Sequence, residues 1–320
     1  MPLVLYPLVA LILLALLQLY FYLARRLNIV DRPNERSSHQ KPTIRGGGIV
    51  FADAVILWFL LSGFQQTWAI GGLFVIALVS LFDDLWGTPR SLRLLVHLTA
   101  VSLLFVQLNV TGLPWYFLLG VYIPTIGWIN AFNFMDGING ITPLYSLVAL
   151  GTFFYLEQNT GFFDADMILF LAIAAGLFAW FNARKNALTF AGDVGSISMA
   201  YMMAWMMIAL IMATRQPAWI LLFAVYGIDS VMTIIIRIGR RENIFKAHRS
   251  HLYQLLANEN AWPHLRVAAL YALAQLAINL ITVWLIFTGK MSIPVLVMML
   301  LLLTIVYLAF RRSSTPRLKG

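Results

Sequence analysis

Four aspartates stand at the ends of long apolar runs: the adjacent Asp83 and Asp84 in "FDDLWG", Asp136 in "NAFNFMDGING" and Asp193 in "AGDVGS". Neighbouring carboxylates are an unfavourable way to end a helix, because like charges repel and the C-terminal dipole favours cations, so a cation is expected nearby. Asn130 and Asn133 are three apart and share a helical face, which points to a common ligand. Gly137 and Gly140 unwind the same helix end and free oxygens for a cation or a base. Carboxylate, amide oxygen and water suit Mg²⁺ or Mn²⁺, and without cysteine there is no Cys/His set for zinc. Mg²⁺ bound so sparsely shares phosphate oxygens with a substrate, which implies phosphate chemistry. Structural readings stay open beside this one. Asp193 is placed to N-cap the helix it opens, Asp83 and Asp84 can end a helix in water, and Asp136 can close one.

Basic groups gather in two stretches. "RIGRRENIFKAHRSHLYQLL" holds Arg240, Arg241, Lys246, His248, Arg249 and His251; His248 and His251 would project together over a phosphate if that piece is helical, with contact to lipid headgroups as the alternative. "DRPNERSSHQKPTIRGGG" carries His39, Lys41 and Arg45 ahead of three glycines that let backbone approach a ligand closely. Asp53 and Asp229 lie inside apolar runs, where an ionisable group is costly and faces the bundle interior. Asp229, two turns from the basic loop, is expected to support the site, and Asp53 to be an internal hydrogen-bond partner.

The elements that position these groups follow from composition. The chain has 320 residues, 61% of them hydrophobic and 11% charged, with mean hydropathy +0.83, outside the range of soluble domains. An all-α polytopic membrane protein is expected, with about eleven spans near 2–24, 46–63, 67–82, 94–108, 115–132, 140–156, 167–182, 194–213, 217–236, 264–287 and 291–310. Residues 1–320 form one integral membrane domain, with cytoplasmic loops at about 25–45, 83–93, 133–139, 183–193 and 237–263. The first run is a true span and not a cleaved signal, since no basic segment precedes it and Arg25 and Arg26 follow. All Lys and Arg except Arg215 and Lys290 fall on one side, so the N-terminus is expected outside and the C-terminus in the cytoplasm. The net charge of +9 is thereby concentrated on the cytoplasmic face, where it attracts anionic lipids or substrates.

Taken in order, "DRPNERSSHQKP" with "GGG", "FDDLWG", "NAFNFMDGING", "AGDVGS" and "AHRSHLYQLL" resemble the motifs of the polyprenyl-phosphate N-acetylhexosamine-1-phosphate transferases, the family that also includes the lipid I-forming translocase. The resemblance covers about residues 28–256. It implies transfer of a sugar 1-phosphate from a UDP-N-acetyl amino sugar to undecaprenyl phosphate at the cytoplasmic face of a bacterial inner membrane, with Mg²⁺ as cofactor and no nucleic acid partner; a homodimer is compatible with it. By the same resemblance Asp83 and Asp84 handle the lipid phosphate or its proton. Asp193 and Asn133 hold the metal, Asp136 and Asn139 hold uridine, and His251 and Arg249 grip the diphosphate. Lys41, Arg93, Asn130 and His248 complete the expected substrate contacts. Asn139 replaces the Asp of many bacterial members, Tyr253 and Gln254 replace two histidines, His248 replaces an Asp, and Arg93 and His97 replace Lys and Gln. The pattern of His248, Arg249, Ser250, His251, Tyr253 and Gln254 is similar to the O-antigen-initiating branch, whose members can use 6-deoxy amino sugars. An ion-coupled secondary transporter is the rival class, because broken helices and intramembrane Asp also describe carriers; the gathering of polar groups at one face instead of the midplane speaks against it.

Overall fold

In lipid, each backbone N–H and C=O must find its partner inside its own segment, so apolar runs fold as helices. The computed structural model describes residues 1–33, 41–244 and 248–314. Its helices are α1 (Leu5–Arg26), α2 (Ile49–Leu61), α3 (Thr67–Trp86), α4 (Arg90–Gln107), α5 (Trp115–Met135), α6 (Ile141–Thr160), α7 (Ala165–Asn182) and α8 (Gly192–Thr214). A 3₁₀ segment (Pro217–Phe223) then leads into α9 (Ala224–Gly239), followed by the single turn α10 (Leu252–Gln254), α11 (His264–Phe287) and α12 (Ile293–Ser314). Among the described residues nine helices are long and apolar enough to cross a membrane, the 3₁₀ segment and α9 counting as one. Of the other two expected spans, α6 has the length but a more polar sequence, and α2 has only 13 residues.

The ends of α1, α3, α5, α7 and α9 meet the starts of α2, α4, α6, α8 and α11 at one pole of the bundle. Exposed Trp86 and Trp180 mark that pole and exposed Trp68, Trp115 and Trp284 the other, the pattern of two interfacial aromatic belts.

At the centre stands α8, buried without a break from Val194 to Met207. Met199, Met202, Met203, Met206 and Met207 are adaptable enough to fill the gaps between differently tilted neighbours. Lipid tails are as apolar as these side chains, so close packing and interhelical hydrogen bonds carry the association. Trp128 Nε1 donates to Ala200 O at 3.1 Å and Tyr201 Oη to Ala69 O at 3.0 Å. The switch from 3₁₀ to α geometry before α9 frees backbone groups; Gln275 of α11 satisfies two of them, accepting from Val225 N at 2.9 Å and donating to Leu221 O at 2.9 Å.

Two short strands, β1 (Val30–Asp31) and β2 (Thr43–Ile44), pair antiparallel, and Ile44 continues the pairing to Thr189 between α7 and α8. The starts of α2 and α8 then cross at Gly48 and Gly195, where a Cβ on Gly48 would lie 2.5 Å from Gly195 Cα. This backbone contact sets Arg45 against the first turn of α8. Asp53 is half-buried on α2, and the internal hydrogen bond expected of it is not found among the described residues.

Candidate active site

The aspartate pair divides its work. Asp84, whose side chain is fully buried, accepts from the amides of Asp193 at 2.9 Å and Val194 at 3.0 Å. It therefore caps α8 from a neighbouring helix. Asp193 does not cap its own helix: the residue before α8 is Ala191, with no side-chain cap. Gly192 makes room for this arrangement, since its φ is +70° and a Cβ would stand 2.4 Å from Asp84 Oδ2. Asp83 accepts from Thr88 N and Oγ1, both at 2.6 Å, beyond the helix-ending Gly87.

The cations expected beside the pair are Arg45 and Arg93. Arg45 Nε lies 2.6 Å from Asp84 Oδ1 and Nη2 lies 3.5 Å from Asp193 Oδ1. Arg93 Nη1 lies 3.1 Å from Asp83 Oδ2 and 3.8 Å from Asp193 Oδ2. The carboxyl groups of Asp83 and Asp193 are in hydrogen-bond contact, which like charges tolerate only with a proton or a cation between them. Arg45 was legible in the sequence only as the residue before the glycine run; the structure makes it a centre of the site.

Asn133 reaches the same turn of α8, its Oδ1 accepting from Ser196 Oγ at 2.6 Å. Among the described residues no three Asp, Glu or His side chains converge on one point, so no all-protein metal cage is built. Two neighbouring carboxylates, with the Asn133 amide oxygen one turn along α8, are the sparse kind of hard-oxygen set that suits Mg²⁺ sharing substrate phosphate, and the donor chemistry fits that ion.

Beyond α5 the polar turn is fastened on several sides. Asp136 accepts from Thr142 Oγ1. Buried Asn139 donates to the carbonyls of Arg184 at 2.8 Å and Lys185 at 3.2 Å, so its amide braces the loop between α7 and α8. Asn182 Oδ1 accepts from Gly140 N at 2.7 Å. Asn130 donates back to Ile126 O at 2.8 Å within α5, so the structure does not bring it to Asn133's contact. Lys41 is exposed, and His39 and Lys246 lie outside the described residues.

The loop after α9 docks on this turn. Tyr253 Oη donates to Phe134 O at 2.8 Å, and a Cβ on Gly137 would stand 2.1 Å from that hydroxyl. Residues 248–250 are not helical, yet the rings of His248 and His251 are neighbours, with centroids 5.1 Å apart. Ser250 Oγ and His248 Nδ1 are hydrogen-bonded at 2.8 Å. Burial, then the neighbouring His251, push the His248 imidazole down to about 4, which leaves it neutral at pH 7. Arg249 is half-buried in the same loop.

Burial pushes the Asp136 carboxyl up to about 6. Its ordinary unfolded value is about 3.9, so between pH 4 and pH 6 the folded chain holds a proton that the unfolded chain has lost. Stability is therefore expected to fall as pH rises through that window. Unfolding temperatures measured across it in detergent should drop for the wild type and less steeply for Asp136→Asn; parallel slopes would refute this.

Helical passes with aromatic belts at both poles define a polytopic membrane protein, and the acidic and basic cluster at one pole is its candidate site. Residues 67–211 match the model of glycosyl transferase family 4. A probable undecaprenyl-phosphate N-acetylglucosaminyl 1-phosphate transferase of Bacillus subtilis (strain 168) is 24% identical, over 82% of this chain and 81% of its own. An undecaprenyl-phosphate alpha-N-acetylglucosaminyl 1-phosphate transferase of Yersinia pestis is 26% identical over 73% and 70%. A phospho-N-acetylmuramoyl-pentapeptide-transferase of Streptococcus gordonii is 25% identical over 82% and 91%. These matches support the resemblance of the chain to the polyprenyl-phosphate hexosamine-1-phosphate transferases of glycosyl transferase family 4.

Proposed function

We propose that the chain transfers an N-acetylhexosamine 1-phosphate, or that of a 6-deoxy N-acetyl amino sugar, from a UDP-sugar to undecaprenyl phosphate, releasing UMP and initiating O-antigen or a related envelope polysaccharide. The observation that carries this reading is the contact of Asp83 with Asp193 between Arg45 and Arg93, at the pole where a greasy and a water-soluble substrate can meet. The names of the Bacillus subtilis and Yersinia pestis relatives support the lipid phosphate and the sugar class.

An oxygen of the lipid phosphate attacks the β-phosphorus of the sugar nucleotide. The bond from that phosphorus to the bridging oxygen breaks, and UMP leaves with the electron pair. Two anions must approach, so positive charge has to surround them. Arg45 and Arg93 supply it on one side, and His251 and Arg249 on the other. Asp83 receives the lipid phosphate or its proton, and the turn bearing Asp136 and Asn139 borders the uridine. Asp193, with Asp83 and Asn133, would hold Mg²⁺ or Mn²⁺, whose charge, when bound, neutralises phosphate oxygens. The basic residues beside this pole support placing it in the cytoplasm, at the inner membrane.

Purified protein with undecaprenyl phosphate and Mg²⁺ is expected to release UMP from at least one UDP-N-acetyl amino sugar, and none when lipid or metal is withheld. Ion flux in proteoliposomes without any UMP release would point to a carrier instead.

A further inference from the structure

Asp229 is 1% exposed on α9, in a setting where an unpaired carboxylate is costly. Four donors converge on it: Tyr271 Oη of α11 at 2.6 Å, Tyr307 Oη of α12 at 3.1 Å, Leu252 N of α10 at 3.0 Å and Thr233 Oγ1 at 3.2 Å. Arg311 of α12 stands one hydroxyl away, its Nη1 donating to Tyr307 Oη at 2.6 Å and Thr233 Oγ1 at 3.2 Å. The remaining neighbour is the ring of His251, with Nδ1 3.4 Å from Asp229 Oδ1, at ion-pair distance. Both ring nitrogens of His251 are buried and neither makes a hydrogen bond of good geometry among the described residues, so Nδ1 meets Asp229 at ion-pair distance only and Nε2 has no protein partner there. A carboxylate beside one ring nitrogen favours the proton there and turns the other nitrogen to a ligand.

Resting on the function proposed above, we infer that Asp229 is a positioning residue that orients His251 toward the diphosphate of the sugar nucleotide, and that α12 holds Asp229 in place through Tyr307 and Arg311. A purely structural polar knot would not need the charge: in Asn the amide oxygen keeps the bonds from Leu252, Thr233 and Tyr307, and Tyr271 Oη can turn to accept from the amide N–H. Holding the imidazole with a raised basicity toward an anionic diphosphate does need it. Asp229, His251 and α12 all lie outside residues 67–211, so the C-terminal part of the chain contributes this device.

The test is a double-mutant cycle read by UMP release, with unfolding temperature followed in every variant. Asp229→Asn is expected to lower kcat/KM for the UDP-sugar by about 10- to 100-fold, as loss of a carboxylate behind a working histidine does, at near wild-type unfolding temperature. On a His251→Ala background the same change should cost nothing further. Equal costs on both backgrounds, or wild-type kinetics in Asp229→Asn, would overturn the inference. If Asp229→Asn fails to fold, Tyr307→Phe replaces it in the same cycle, with a smaller loss that again vanishes without His251; a loss that persists there overturns the inference too. Wild-type protein runs in parallel. Absence of UMP release from it would refute the reaction itself, whereas an active wild type with an additive cycle refutes only the positioning role.

Discussion

An Asp193→Asn variant is expected to lose UMP release on the order of 10³-fold, the scale of removing a preorganised charged group from a phosphoryl-transfer site, and to unfold at or above the wild-type temperature. The two halves of that expectation have one cause. Asp193 touches Asp83 and faces Arg45 and Arg93 at 3.5 and 3.8 Å. Its substitution removes one of two like charges in contact, which relieves the folded state, and it leaves the shape of the α8 turn intact because the amides of that turn are capped by Asp84. Metal and phosphate, however, require the charge. A stabilised, inactive variant is the signature of a residue kept for chemistry at some expense of stability. UMP release and thermal unfolding in the same detergent preparation decide it, and a variant with full turnover would remove Asp193 from the reaction.

Arg45→Ala is expected to behave in the opposite way, losing stability and activity together. Arg45 Nε is 2.6 Å from the fully buried Asp84, so truncation leaves a desolvated carboxylate with two amides and no counter-charge. Breaking such a pair from one side costs about 3 kcal/mol, at the low end of the range because the arginine side chain is partly exposed. Adding Asp84→Asn to Arg45→Ala should restore part of the lost unfolding temperature without restoring turnover. Arg45→Lys should fall between, since an ammonium keeps the charge but not the fork that reaches Asp84 and Asp193 at once. Wild-type unfolding in Arg45→Ala would show that the contact carries no stability.

The helical passes and the acidic groups at their ends were determined by the sequence alone. Bilayer thickness dictates the length of an apolar run, and lipid forbids unsatisfied backbone, so hydropathy translates almost directly into helices. The same logic put Asp83, Asp84, Asp136 and Asp193 at the ends of apolar runs, so that packing the bundle would bring them to one depth. Two of the expected passes meet that criterion less well: α2 is shorter than its apolar run, and α6 carries enough Ser, Thr, Gln and Asn to lower its hydropathy. The pairing of those groups was decided only by tertiary structure. That Asp84 caps α8 while Asp193 stays open, that Arg45 joins them, that Asn139 braces the α7–α8 loop and that Asp229 stands behind His251 are contacts between separate helices, the first of them across 109 positions of chain. A helix such as α8, apolar and buried on every side, has no stripe to announce which neighbour it meets. Its partners are chosen instead by shape, through close approaches such as Gly48 on Gly195, and by hydrogen bonds whose worth appears only once the helices are side by side.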